Sequence, residues 1–480
     1  MSTLVSEQIN LGAKATYRPS AVRRMTVLQL LAATYFMVAG GPYGLEDLVH
    51  NTGYLAAIVV LLLTPLLWSL PTALMVSELS SAVPEAGGYY AWVRRALGPF
   101  WGFQEGWLSL AASVFDMAIY PTLFVKYFSG LCGRPDLATG LPAWLIGAVV
   151  IVTCVIANLQ GARAVGGWSV VMVVALLGPF VVLIAAACTP QRLPRGGGPQ
   201  PLEIDYLAGI LVAMWNFMGW DNASTIAGEV ERPHRTYPLA LCGAVVLVVL
   251  TYTLPVWAAS RTGIDPADWR AGSWVDVGTA LAGPLLGAAI AVGGMIGALG
   301  TFNSLVLSYS RIPVILALDG YLPAVFARCH AKTKTPWVAI VACAATWALA
   351  LQLSLPRLFA LDVILYGLSL LLEFAALLAL RIREPALPRP FRVPGGKTVA
   401  AVLGLGPALL IGVAIYAQAG KWRPEGDDPF TPAFALLLGA LLVALGPVVY
   451  FANRLWRRKV ASGWTAPQPL ATNDVLRLTQ

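Results

Sequence analysis

Charge and histidine are what this sequence has least of. Only 12% of its 480 residues are Asp, Glu, Lys or Arg, and just three are His (His50, His234, His330). With 58% hydrophobic residues and a mean hydropathy of +0.71, a soluble core of this size could not hide the apolar surface. The scarcity of His, all near the ends of apolar runs, excludes a His-based catalytic or metal centre, and no metal site or cofactor is expected. Six cysteines are scattered without metal-ligand or redox spacing and read as small apolar filler. No Gly-rich loop ends in Lys-Ser or Lys-Thr, which argues against ATP hydrolysis. The polar stretch 1–24 has no short apolar core with a cleavage site, so no signal peptide is expected. No stretch outside the apolar runs reaches the ~50 residues of a folded domain, which disfavours an attached enzyme or a sensor's output module.

What is present is a succession of apolar runs, each able to cross roughly 30 Å of hydrocarbon at 1.5 Å per residue. Twelve spans are expected, at 26–50, 54–78, 99–130, 141–159, 167–189, 205–230, 238–260, 284–311, 336–353, 357–381, 399–419 and 432–453. They define a transmembrane body, 26–453, between short tails, 1–25 and 454–480. Net charge is +8, but the basic residues are sorted by loop. The side of the two termini carries well over twice as many Lys and Arg as the other face, which holds Arg134, Arg192, Arg195, Arg261, Arg270, Arg357, Lys421 and Arg423. That asymmetry puts both termini in the cytoplasm of an inner-membrane protein, and it explains the basic pI without a nucleic-acid partner.

Two spans are interrupted near their centres by residues that resist a regular backbone. Span one carries Gly40-Gly41-Pro42-Tyr43-Gly44, and span six carries Gly219-Trp220-Asp221-Asn222. Breaks five spans apart are the sequence pointer to a transporter of inverted repeats, here 26–189 and 205–381, followed by two extra helices over 399–453. Unwound backbone survives at membrane depth only against protein or a wet cavity, so a mid-depth site is implied.

The spans are acidic although the chain is basic. Glu46, Asp47, Glu105, Asp116, Asp221, Glu229, Asp362 and Glu373 lie within them, against one main basic exception, Lys126. A buried carboxylate must be paired, hydrated or protonated, so a cationic substrate or a proton is expected to supply the missing charge. Asp362, Tyr366, Ser369 and Glu373 share one face of span ten, and Glu105, Ser109, Asp116 and Tyr120 form a polar stripe on span three. In the first break Pro42 has no N–H, and Glu46 and Asp47 follow at the positive end of the next half-helix. There they would repel a substrate carboxylate, which favours amines; their plainer role is helix capping, above all for Asp47. Tyr43, Trp215, Trp220 and Tyr366 stand near the breaks, and an ammonium over such a ring gains about 0.5–2 kcal/mol.

GGPYGLED (40–47), PEAGGYYAWVRRALGPFWGFQEGW (84–107), WNFMGWDNASTIAGEVERP (215–233) and YGLSLLLEF (366–374) together resemble the amino acid/polyamine/organocation superfamily, in particular its polyamine uptake branch. The resemblance runs nearly end to end. It implies an all-α, twelve-span fold with a five-plus-five repeat and a site between spans one, three, six, eight and ten. It further implies a backbone cradle at Gly40, Gly41 and Gly44, with Glu46 and Glu373 on ammonium groups, Trp220 and Asp221 lining the sixth-span break, Tyr366 capping the site, and Asn303 and Ser304 on the scaffold side. Uptake driven by protons is the expectation, with Glu229 and Asp116 as proton carriers; a sodium site of hydroxyls and carbonyls, around Asn303 and Ser304, is the other choice. Lys126 departs from the acidic residue that polyamine members often carry there, and a cation disfavours polycations at that point. The expected function is secondary transport of polyamines or related amines. An amino acid permease or exchanger is the alternative, and a passive channel or sensor ranks below it.

Overall fold

Hydropathy and chain-breaking residues set the elements of this protein, seen here in a computed structural model. It describes residues 25–85, 87–160, 162–189, 204–330, 333, 335–420 and 432–463, without the side chains of 162–170, 228–229, 420, 432–434 and 456–463. The expected N-terminal tail therefore lies outside the described residues but for Met25, and 454–463 are the described part of the C-terminal one. In the last span the helix continues past the expected end at 453 to Gly463.

The described residues are helical, with a single isolated bridge between Met25 and Val230 and no strand. α1 (Val27–Val38) begins on a Thr26 capping box, in which Thr26 and Gln29 satisfy each other's orphan groups. After the first interruption α2 (Glu46–Thr64) turns back at Gly53, whose φ of 73° only glycine adopts without strain, and passes through a π turn at Pro65–Ser69 into α3 (Leu70–Ala82). α4 (Tyr89–Leu97) is short, and α5 (Pro99–Leu131) is long and starts on proline, whose missing N–H costs nothing at a helix start. There follow α6 (Gly140–Leu159), α7 (Ala162–Ala187), α8 (Tyr206–Asn216), α9 (Pro233–Ala259) and α10 (Ser273–Ala282). The remainder are α11 (Pro284–Tyr309), α12 (Arg311–Leu318), α13 (Trp337–Ala350), α14 (Leu355–Arg383), α15 (Gly396–Leu403), α16 (Leu405–Gly420) and α17 (Pro432–Gly463).

Eight helical stretches of the described residues are long and apolar enough to cross a membrane, and three shorter apolar helices accompany them. Burial sorts them into centre and rim. The apolar window of α5 is 72% buried and that of α14 67%, whereas that of α6 is only 22%, so α5 and α14 form the centre and α6 faces lipid. α5 packs on both α11 and α14, and glycines permit the closest approaches. A Cβ on Gly297 of α11 would stand 2.5 Å from the Gly40 carbonyl oxygen, and one on Gly294 would stand 2.9 Å from the Tyr43 ring. The rim is studded with exposed Leu and Val, as a lipid-facing surface requires.

One buried acid at the end of the bundle meets resident cations. Glu78 of α3 takes two hydrogen bonds from Arg381 of α14, at 2.8 and 2.5 Å, and a third from the Val393 amide at 2.8 Å, with Arg389 3.4 Å away. Both side chains of the Glu78–Arg381 pair are essentially solvent-free.

Candidate functional site

Both expected interruptions are present, and the protein itself satisfies their backbone. In the first, residues 39–45 are not helical, and Gly41 and Gly44 take φ values of 86° and 93°. The Pro42 carbonyl accepts from the Trp274 indole at 2.9 Å, the Gly44 carbonyl from Asn216 at 3.3 Å, and the Tyr43 hydroxyl donates to the Ile290 carbonyl at 2.7 Å. In the second, α8 stops at Asn216, and the half of the span beyond the expected break at Gly219–Asn222 is a 3-10 segment, Trp220–Glu229. Gly219, with φ 92°, makes the turn; a Cβ there would stand 2.4 Å from the Met37 carbonyl oxygen, so the two breaks touch. The Gly219 amide donates to the Tyr366 hydroxyl at 3.0 Å, which in turn donates to Asp221.

Glu46 is bound more tightly by its own chain than the sequence suggests. One oxygen accepts from the Gly44 amide at 2.6 Å; the other accepts from Tyr127 of α5 and from the Gly272 amide at 3.2 Å. Its carboxylate thus occupies the Gly44 amide of the break, while Asp47 is partly exposed and experiences the field of Lys126. Lys126 belongs to that outer pair and not to the acids deeper in the bundle.

Those deeper acids come together where α5, α14 and the second break meet. Asp116 accepts from Tyr120 at 2.7 Å and from Tyr309 of α11 at 3.0 Å, and Trp215 lies beside it. Asp362 faces Asp116 and Asp221, and neither of its oxygens has a hydrogen-bond partner. Further along the same two helices, Glu105 accepts from Ser369 at 2.5 Å and from Ser109 at 3.4 Å through one oxygen, while the other has no partner. Glu373 stands near Glu105 and beside Asp221, the carboxyl it hydrogen-bonds when one of the two is protonated, and no other group hydrogen-bonds its oxygens. All five side chains (Glu105, Asp116, Asp221, Asp362 and Glu373) are buried, and among the described residues no Lys, Arg or His pairs with any of them.

The aromatic surroundings differ in part from expectation. Trp215 packs on Phe359 at 4.5 Å between ring centres and on Tyr120 at 6.1 Å, and with Tyr43, Gly40 and Tyr252 it lines a cavity of about 20 Å³. That holds about one water, so the site is closed around a space too small for an organic amine. Trp220 is wholly buried and spends its indole N–H on the Phe217 carbonyl at 2.8 Å; it braces the break without lining this cavity. Asn303 accepts from Asn158 of α6 at 2.6 Å, Ser304 is buried, and the Glu229 side chain lies outside the described residues.

Several participants escaped the sequence reading. Tyr127 and Tyr309 bring hydroxyls to carboxylates from neighbouring helices, and Tyr89 holds a buried hydroxyl close to Ser109, Glu105, Glu373 and Asp221. The signal for Tyr89 was its place in the long motif 84–107, where a Cβ on Gly88 would collide with Ser224 and the Tyr89 amide donates to the Ser224 hydroxyl at 3.2 Å.

Apolar membrane helices, two touching interruptions and an enclosed polar centre define a multi-pass membrane transporter. The chain belongs to the amino acid permease family, which matches residues 27–442. It is 34% identical over 398 residues to the polyamine transporter RMV1 of Arabidopsis thaliana, covering 82% of this chain and 80% of that one. It is 35% identical over 400 residues to the polyamine transporter PUT1 of Oryza sativa subsp. japonica, covering 83% and 74%. More distantly, it is 24% identical over 395 residues to the serine/threonine exchanger SteT of Bacillus subtilis, covering 80% and 86%. These are transporters and not enzymes.

Proposed function

We propose that this protein is a proton-coupled symporter that carries polyamines or related small cationic amines across the inner membrane. In this reading it has twelve spans, built as a five-plus-five inverted repeat with two further helices, and both termini are cytoplasmic. The substrate's ammonium groups bind at Asp116, Asp221, Asp362 and Glu373, against Trp215 and Tyr366, in the space that Gly40, Gly41, Tyr43 and Gly44 border. Glu46 frames this space from the first break, and Trp220 braces the second.

The observation that carries the reading is the set of five buried carboxylates without a basic partner. Uncompensated negative charge in a low-dielectric interior is costly, and an arriving diamine or triamine relieves it with charge-assisted hydrogen bonds. The relatives named polyamine transporters support the same class.

An amino acid permease or exchanger is the second reading, favoured by the distant likeness to the serine/threonine exchanger. Against it stands the first break. An amino acid's carboxylate would need free amide groups there, but Pro42 has none and Glu46 occupies that of Gly44. Proteoliposomes or intact cells given radiolabelled putrescine, spermidine, leucine and lysine separate the two. Uptake of the amines, collapsing when an uncoupler is added, is expected. Uptake of leucine or lysine in their place overturns the substrate assignment, and uncoupler-insensitive flux overturns the symport mechanism.

A further inference from the structure

The five buried carboxylates do not form one uniform site. Asp116 and Asp362 lie with Trp215, Tyr120 and Tyr309, near the aromatic cavity. Glu105 and Glu373 lie further along α5 and α14, and serines, not aromatic rings, supply the hydrogen bonds around them. Ser109 and Ser369 are 3.0 Å apart, and both donate toward the same Glu105 oxygen. The other Glu105 oxygen has no hydrogen-bond partner, and Glu105, Glu373 and Tyr89 show no solvent exposure. The groups that face Glu105 are Glu373 from α14, Asp221 from the second break and Tyr89 from α4; of the cations on these helices, Arg94, Arg95 and Arg381 are paired elsewhere, with Asp319, Glu384 and Glu78.

Resting on the symport reading above, we propose that Glu105 is the carrier of the coupling proton, whereas the Asp116–Asp362 end takes the amine. A buried carboxyl without a counter-ion suits a single proton, which needs no cavity, and the serine hydroxyls hold Glu105 in place while its second oxygen receives it. Asp221 touches both ends. It faces Glu105 and Glu373 on one side and Asp362 on the other. Three negative groups around one point repel one another. An amine on Asp221 removes one of these charges and a proton on Glu105 removes a second, so each passenger favours the binding of the other, which couples them in symport. Glu229 and Asn303 are not needed, and Asp116 is assigned to substrate instead.

The test uses the full-length protein in proteoliposomes with an imposed inward proton gradient and radiolabelled spermidine. Glu105→Gln is expected to lose at least tenfold of gradient-driven accumulation and its dependence on pH, while keeping spermidine-for-spermidine exchange within about threefold of wild type. Accumulation that still follows the gradient in this variant overturns the assignment, and so does loss of exchange together with accumulation in folded protein, which would make Glu105 a substrate ligand. Should Glu105→Gln not fold, Ser369→Ala decides. It removes a donor that favours the ionised carboxylate, so the pH at which uptake is half-maximal is expected to rise, and an unmoved profile overturns the proposal. Wild-type protein that fails to accumulate spermidine under the gradient sinks the functional reading itself, a result distinguishable from any variant's behaviour.

Discussion

At the scale of single residues, what separates function from structure here is whether a buried acid has found a resident donor. Glu46 has three, and it acts as a fixed part of the first break. Asp362 has none, and no packing role explains a carboxylate there. Exchange of Asp362 for Asn keeps the shape and removes the charge. A hydrogen bond to a charged group contributes about 1.5–3 kcal/mol, so Asp362→Asn is expected to weaken amine binding by about 10- to 100-fold. A thermal-shift titration reads this directly: spermidine stabilises wild type but not the variant. An undiminished shift would remove Asp362 from the site. Residues of this kind were countable in the sequence, because an acid within an apolar run is visible whatever it touches. Their partners were not, since the Tyr127 hydroxyl on Glu46 comes from 81 residues away.

At the scale of elements, the two interruptions are the machinery, and glycine geometry holds them. Gly44 combines a φ of 93° with the nearest contact of the first break, because an added Cβ would stand 2.8 Å from a Trp215 ring carbon. Gly44→Ala is therefore strained by about 1–3 kcal/mol in its backbone, and in addition it pushes Trp215 against Phe359. The expected outcome is transport reduced at least tenfold at near-normal membrane abundance, measured as uptake per molecule of surface-labelled protein. Both breaks were legible as Gly- and Pro-containing interruptions of apolar runs. The form of the second was less so: its inner half is a 3-10 segment, because the turn at Gly219 and the bonds from Tyr366 and Trp220 fix a tighter winding that no local propensity specifies.

At the scale of the whole molecule, paired and unpaired acids divide the work. Glu78 and Arg381 clamp α3 to α14 across 303 residues of sequence, with both side chains shut away from solvent. Removal of one partner leaves an unmatched buried charge, so Glu78→Gln is expected to destabilise the protein by about 3–5 kcal/mol. A melting curve of the purified variant checks this, and a melting temperature equal to wild type would deny the pair its role. The deeper acids carry no such clamp, and their variants are expected to lose gradient-driven accumulation with little loss of stability. The sequence by itself determined that the chain lives in a membrane, where its helices are interrupted, and that negative charge accumulates at mid-depth. These follow from hydropathy, backbone permissiveness and composition, which are properties of short stretches. Only the tertiary structure decided which acids are answered and which wait, because a hydrogen bond acts over about 3 Å between atoms that chain order leaves hundreds of residues apart.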